Sequence, residues 1–357
     1  MTVLLLILGL IILCILILDV YVTVFVPRGQ AGIIARRTYS CMWSGWRKIA
    51  NRLPEGRRRT WLAQLGPLLV PMTVLIWGGL LILSFALIYA PWVQDFRISP
   101  PESGPMSDWA MAIYYSGYSA VTLGVGDVTP NGTFPRMLAV IEAGFGFALI
   151  TVSVSYLLSV YSARNQATVV ALTISRFIGR REGRDPVELL IGASRSGAEA
   201  EIGDWLGRMN ADLVKLAELQ GQYPLVNYFH EPDDDRALPI SLSDWLELIT
   251  ICRTILCPVR FPGLATGPTT MAAGRIGHHF LNETATIDTE GENNLGEQRR
   301  RRYSIARSLL ENAGVELRDD DDAWPAYDSL RRQWDMADEY VRQRLGYASE
   351  RETRQRQ

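Results

Sequence analysis

Three uninterrupted apolar runs constrain this chain more than any other feature. A helix needs about 20 apolar residues to cross the hydrocarbon core of a bilayer. Residues 3–26 reach that length with a single charge, Asp19; residues 65–92 carry none, and residues 137–163 carry one, Glu142. No other stretch is long and apolar enough. Most of the charge falls after residue 165, so a membrane part followed by a water-exposed part is expected. The net charge of −2 averages over that division and carries little information.

The apolar start at Val3 has no basic segment before it and no small-residue cleavage site, so a retained span is expected rather than a removable leader. Cys14, Cys41, Cys252 and Cys257 lack a nearby histidine at zinc spacing and read as reduced structural thiols. Basic residues set the orientation. Arg28, Arg36, Arg37, Arg47, Lys48, Arg52, Arg57, Arg58 and Arg59 lie between the first two spans against one acid, Glu55. Asp95, Glu102 and Asp108 oppose Arg97 between the second and third. Arg164, Arg176, Arg180 and Arg181 follow the third. The expected topology is N-terminus outside and C-terminus cytoplasmic. Tyr89 and Trp92 suit the outer interfacial belt, while Trp43, Trp46 and Trp61 among the basic residues suit a helix lying on anionic lipid.

Residues 93–135 are too many for a tight turn. Pro100 and Pro101 precede Ser107, which can cap a short helix over Asp108–Ala120. That helix is apolar and aromatic but too short to span. Thr122-Leu123-Gly124-Val125-Gly126-Asp127 follows. Irregular backbone at membrane depth is tolerated only where it is buried in protein or lines a water-filled path. Alternating glycines let successive carbonyls point the same way.

This segment resembles the pore region of the potassium channel family, whose filter reads T-V-G-Y-G. Tyr114 and Tyr115 stand where the family has an aromatic pair on its pore helix. Asp127 follows the second filter glycine, Arg136 opens the inner helix, and Gly146 falls at the family's hinge position. The resemblance covers residues 66–162. It implies K+ bound by the Thr122 hydroxyl and the carbonyls of Thr122, Leu123, Gly124 and Val125. Gly126 and Asp127 would form the outer mouth. It also implies a homotetramer, because one filter segment per chain needs four chains to close a ring. Two departures stand out. Val125 replaces the usual aromatic that braces the filter, and Leu123 replaces a valine. The first leaves a non-selective cation channel open beside a potassium-selective one. A non-conducting sensor or scaffold is a third reading.

Tyr118 and Glu142 are read as filter support, with Glu142 accepting from Tyr118, Ser116 or a backbone amide; a purely structural Glu142 is the alternative. Gly144 and Gly146 permit either a hinge or close helix contact. Asp19 is expected to bond Thr23 or a neighbouring helix and so hold the first span.

Residues 164–357 read as mainly helical. Leu189–Gly197 has the flavour of a strand and glycine loop but lacks a dinucleotide fingerprint. Tyr327, Leu330, Trp334, Ala337, Val341 and Leu345 suggest one last helix. His230 with Asp233–Asp235, the Arg299–Arg302 run and Asp319–Asp322 read as solvated, and 284–298 as a flexible link. The expected whole is an all-α membrane protein. It comprises an N-terminal span and basic linker (1–64), a pore domain (65–163) and a helical, regulatory cytoplasmic domain (164–357). The expected partners are itself and membrane lipid, with no nucleic acid. No catalytic constellation and no cofactor beyond permeant K+ are expected, and no motif names a cytosolic ligand.

Overall fold

The computed structural model describes residues 2–26, 31–99, 106–182, 185–284, 295–345 and 347. Arg28, Pro100, Pro101, Glu102 and most of the expected flexible link (285–294) lie outside them. The protein is an all-α membrane protein with a helical C-terminal region. Among the described residues, three helices are long and apolar enough to cross a bilayer. They are α1 (Thr2–Phe25), α3 (Glu55–Tyr89) and α5 (Thr133–Ile178). Between α1 and α3 lies α2 (Ile33–Ala50). Between α3 and α5 come a two-residue strand β1 (Arg97–Ile98), the short helix α4 (Asp108–Ala120) and strand β2 (Val128–Thr129).

The chain forms two compact units, one of residues 1–49, 64–162 and 221–225, the other of 50–63, 163–220 and 226–357. In the first, α1 packs on α3 through Gly9, where a Cβ would come within 2.7 Å of the Ser84 carbonyl oxygen. Asp19 is buried and, of the two expected partners, meets neighbouring helices rather than Thr23. Its carboxylate accepts from the Ile34 and Ala35 amides (2.7 and 3.3 Å) and from the Trp77 indole on α3 (2.9 Å). Thr23 accepts from the Gly32 amide instead (2.9 Å). One carboxylate of α1 thus satisfies the orphan donors that open α2 and the indole of α3. Tyr39 and Trp43 of α2 are buried, so that aromatic face is turned into the protein and not toward lipid.

In the second unit the helices are α6 (Pro186–Ser196), α7 (Glu199–Gln222), α8 (Leu238–Thr254), α9 (Pro262–Ala265), α10 (Pro268–Thr284), α11 (Leu295–Asn312), α12 (Asp320–Arg332) and α13 (Asp335–Leu345). The strand-like 189–197 is helical. Asp185 caps α6 through the Val187 amide, and Gly197 ends it at φ 69°. Helix α8 is buried almost throughout, including Asp244 and Glu247. Glu247 holds Arg302 (2.8 Å), Tyr327 (3.1 Å) and Arg331. Arg299 is buried between Asp328 and Asp335 (2.7 and 2.6 Å). Half of the run 299–302 departs from the expected solvated face: Arg299 and Arg302 sit one helical turn apart and point inward, while Arg300 and Arg301 are exposed. The 231–235 loop is not solvated. Glu231 pairs with Arg164 (2.8 Å), Asp234 with Arg59 (3.0 Å), and Asp235 accepts from Ser175 (2.6 Å). His230 is buried and stacked on Tyr347 at 4.4 Å. The expected single last helix is two, α12 and α13, parted at Gln333. There the Trp334 indole reaches the Thr250 hydroxyl at 3.2 Å.

Burial pushes the Cys252 thiol up to about 12. Because the thiolate is the reactive form, Cys252 should resist iodoacetamide at neutral pH in the folded protein, with half-buried Cys257 modified first. Mass-spectrometric footprinting before and after denaturation checks this; equal labelling of both in the folded state would contradict the buried position.

Candidate functional site

The site is built on α4. Ser107 accepts from the Ala110 amide at 3.3 Å and Asp108 follows in the first turn, as the sequence leads one to expect. The helix ends by tightening, with the Thr122 amide donating to Ser119 O and the Leu123 amide to Tyr118 O (3.0 and 2.9 Å). The backbone then alternates. Thr122, Gly124 and Gly126 have φ of 55°, 62° and 80°, and Leu123 and Val125 are not in that left-handed region. Left-handed residues alternating with ordinary ones turn successive peptide planes to the same side, which a plain strand does not. Among the described residues, Thr122 is the one non-glycine with positive φ. A β-branched residue there is strained, and such strain points to function. Leu123 and Val125 are exposed, so the segment stands open along one side in a single chain.

Behind the segment the support is polar and aromatic. Tyr114 donates to Asp127 Oδ2 at 2.8 Å, and Asp127 Oδ1 accepts from the Val128 amide at 2.9 Å. Tyr118 donates to the Val128 carbonyl, not to Glu142. Tyr115 packs edge-on against Tyr89, Phe96 and Tyr118, with centroids 4.9–5.1 Å apart. β1 pairs antiparallel with β2, and the Ser99 amide donates to Asp127 O at 2.7 Å. This ladder, invisible in the sequence, ties the chain before the helix to the chain after the filter-like segment. Arg136 closes the far side by donating to Pro130 O at 3.1 Å.

Glu142 is fully buried on α5. It meets the Ser116 hydroxyl and, at 3.0 Å, the hydroxyl of Tyr89, a partner the sequence did not reveal. Ser116 has one proton and a second acceptor, Ile82 O at 2.9 Å. Given to Ile82, that proton leaves the Ser116–Glu142 contact in need of a donor on the Glu142 side. Glu142→Gln supplies one and still accepts from Tyr89, so it should keep function and stability near those of the natural protein. Glu142→Leu strands the Tyr89 hydroxyl, at about 1–3 kcal/mol. Thermal unfolding and flux on both variants check this; a Gln variant as damaged as Leu would refute the accounting.

Gly144 has open space around it, whereas a Cβ on Gly146 would lie 1.7 Å from the Ala120 carbonyl oxygen. Helix α5 runs unbroken through both. Gly146 thus sits at the seat of α4 on α5. No group of His, Cys, Asp and Glu able to hold a metal occurs among the described residues.

A short helix and a strained return loop are thus held between two helices long and apolar enough to cross a membrane. Residues 72–163, from within α3 into α5, match the protein family described as an ion channel, which supports an ion-channel domain there. The chain is also 31% identical over 221 residues to the uncharacterized membrane protein YdjJ of Bacillus subtilis (strain 168). That alignment covers 62% of this chain and 61% of the relative, so the chain spans about three-fifths of that protein's length. No solved structure matches. The relative and the apolar helices agree on a membrane location.

Proposed function

We propose that four copies of this chain enclose a pore that conducts K+ passively, with Thr122, Leu123, Gly124 and Val125 as the oxygen ligands and Gly126 and Asp127 at the outer mouth. The observation that carries this is the left-handed alternation at Thr122, Gly124 and Gly126. It aims consecutive carbonyls one way, and fourfold repetition turns them into stacked rings that replace an ion's hydration shell. The exposed Leu123 and Val125, together with Val140, Phe147, Val154 and Leu158 on α5, leave an apolar side that further copies would cover. The C-terminus of α4 turns its negative dipole end toward the conduction path, favouring a cation. Residues 65–163 form the pore domain in this reading and 164–357 a cytoplasmic regulatory domain, with the N-terminus outside. Ion passage forms no covalent bond and needs no resident cofactor.

A second reading, a non-selective cation pore, draws on Val125. Its side chain is exposed and does not pack behind the filter as an aromatic would. Tyr114 and Tyr118 supply bracing from α4 instead. The test is flux into liposomes holding the purified full chain. Barium-sensitive K+ uptake without Na+ uptake is the expected result. Equal uptake of both ions would replace potassium selectivity by the second reading. Absence of both, including after removal of residues beyond 164, would overturn conduction.

A further inference from the structure

We infer that the outward face of α2 binds anionic lipid head groups of the bilayer leaflet on its side of the membrane. The face is defined by what α2 buries. Ala35, Tyr39 and Trp43 are turned into the protein, so the opposite side carries Arg37 and Lys48, flanked by Ile33 and Ile49 at 63% and 48% exposure. No acid occurs between Asp19 and Glu55, so nothing in that stretch neutralises the stripe. Arg37 and Lys48 have no ion pair among the described residues.

Depth follows from Asp19. Its carboxylate receives the first amides of α2, and it lies six residues before the end of α1, about 9 Å of helix. The opening of α2 is therefore held near the boundary where α1 leaves the hydrocarbon. The helix is too charged to cross. At that level exposed isoleucines meet acyl chains and exposed Arg and Lys meet phosphates. This is the reverse of a helix that lays its tryptophans in lipid, since here the aromatic face docks the protein and the cationic face is left for the membrane.

The test uses the full-length protein in detergent, titrated with phosphatidylglycerol or phosphatidylcholine and read by native mass spectrometry, so it does not depend on ion flow. The natural protein should bind phosphatidylglycerol about tenfold better or more. Each basic residue near an anionic surface contributes about fivefold. Arg37→Gln with Lys48→Gln should therefore bring the two lipids close to parity, whereas Arg37→Lys should keep the preference. Both sites are exposed and glutamine is a good helix former, so folding should survive, which circular dichroism confirms. Undiminished phosphatidylglycerol preference in the double glutamine variant would overturn the inference. So would full displacement by inorganic phosphate, which would mark a soluble-anion site. A natural protein without lipid preference whose oligomer is lost in the variant would assign the face to a second copy of the chain.

Discussion

Gly146→Ala should abolish ion flux and lower stability, while Gly144→Ala, two residues earlier on the same helix, should leave the packing of α4 on α5 within one chain intact. A methyl at 146 would stand 1.7 Å from the Ala120 carbonyl oxygen and 2.7 Å from its carbon. Relief requires α5 to withdraw from the end of α4 by about 2 Å, because non-bonded atoms settle near 3.5 Å or beyond. The obstacle is backbone, so no side-chain rotation can absorb it. The cost is about 3 kcal/mol or more, enough to shift a two-state equilibrium about a hundredfold. Ala120 immediately precedes the turn into Thr122, so displacement of α5 removes the seat of the strained loop. At Gly144 nothing of the same chain lies within 4 Å, and alanine there should favour the helix by about 1 kcal/mol. A bending role for both glycines predicts the opposite pattern, with either alanine altering flux to a similar degree. Flux and thermal unfolding of the two variants, measured side by side, separate packing from bending. Normal flux through Gly146→Ala would remove the close-approach account.

How much of this was legible depends on whether each signal is local. Span length is local, and α1, α3 and α5 were readable from it. The Ser107 cap and the helix it starts were readable for the same reason, as was the glycine alternation at 124 and 126. What escaped depends on partners distant in sequence. Two-residue strands carry no alternation, so the pairing of Arg97–Ile98 with Val128–Thr129 left no pattern. Of the donors expected for Glu142, Ser116 meets it, but the Tyr118 hydroxyl reaches the Val128 carbonyl, only ten residues ahead yet across the return loop. Glu142 takes Tyr89, 53 residues back.

Two of the charge runs departed in part from expectation, while Asp319–Asp322 is exposed as expected. Arg299–Arg302 and Asp233–Asp235 look like solvated faces because composition alone cannot show that partners distant in sequence await some of their members. In the fold Asp328, Asp335 and Glu247 receive Arg299 and Arg302, while Arg59 receives Asp234. The break at Gln333 has neither glycine nor proline to announce it, so an apolar stripe spanning two helices read as one.

Asp19→Leu should cost about 3–6 kcal/mol and free the start of α2, because three donors lose one acceptor at once. The Ile34 and Ala35 amides lie at the first turn of a helix, where no intrahelical carbonyl can serve them. Gly32, which opens the helix, has no side chain to cap it, and a Cβ there would strike Asp19 Oδ1 at 2.2 Å. The cap is thus supplied from α1, and a negative charge there also meets the positive end of the helix dipole. The third donor, the Trp77 indole, is fully buried on α3 and would be left without its acceptor. Each buried donor so stranded costs about 1–3 kcal/mol. Asp19→Asn keeps one oxygen but turns an amide group toward other donors, so an intermediate loss of about 1–3 kcal/mol is expected. Hydrogen exchange should show residues 33–50 opening about a hundredfold more readily in the leucine variant, with α4 and the filter-like loop protected as before. If α2 kept its protection, its place would be set by the packing of Tyr39 and Trp43 alone, and Asp19 would be a passive buried acid. If α4 opened as well, the first span and α2 would be part of what holds the filter-like loop in shape. That second outcome would extend the determinants of the site to a helix that lies wholly outside the segment resembling a channel.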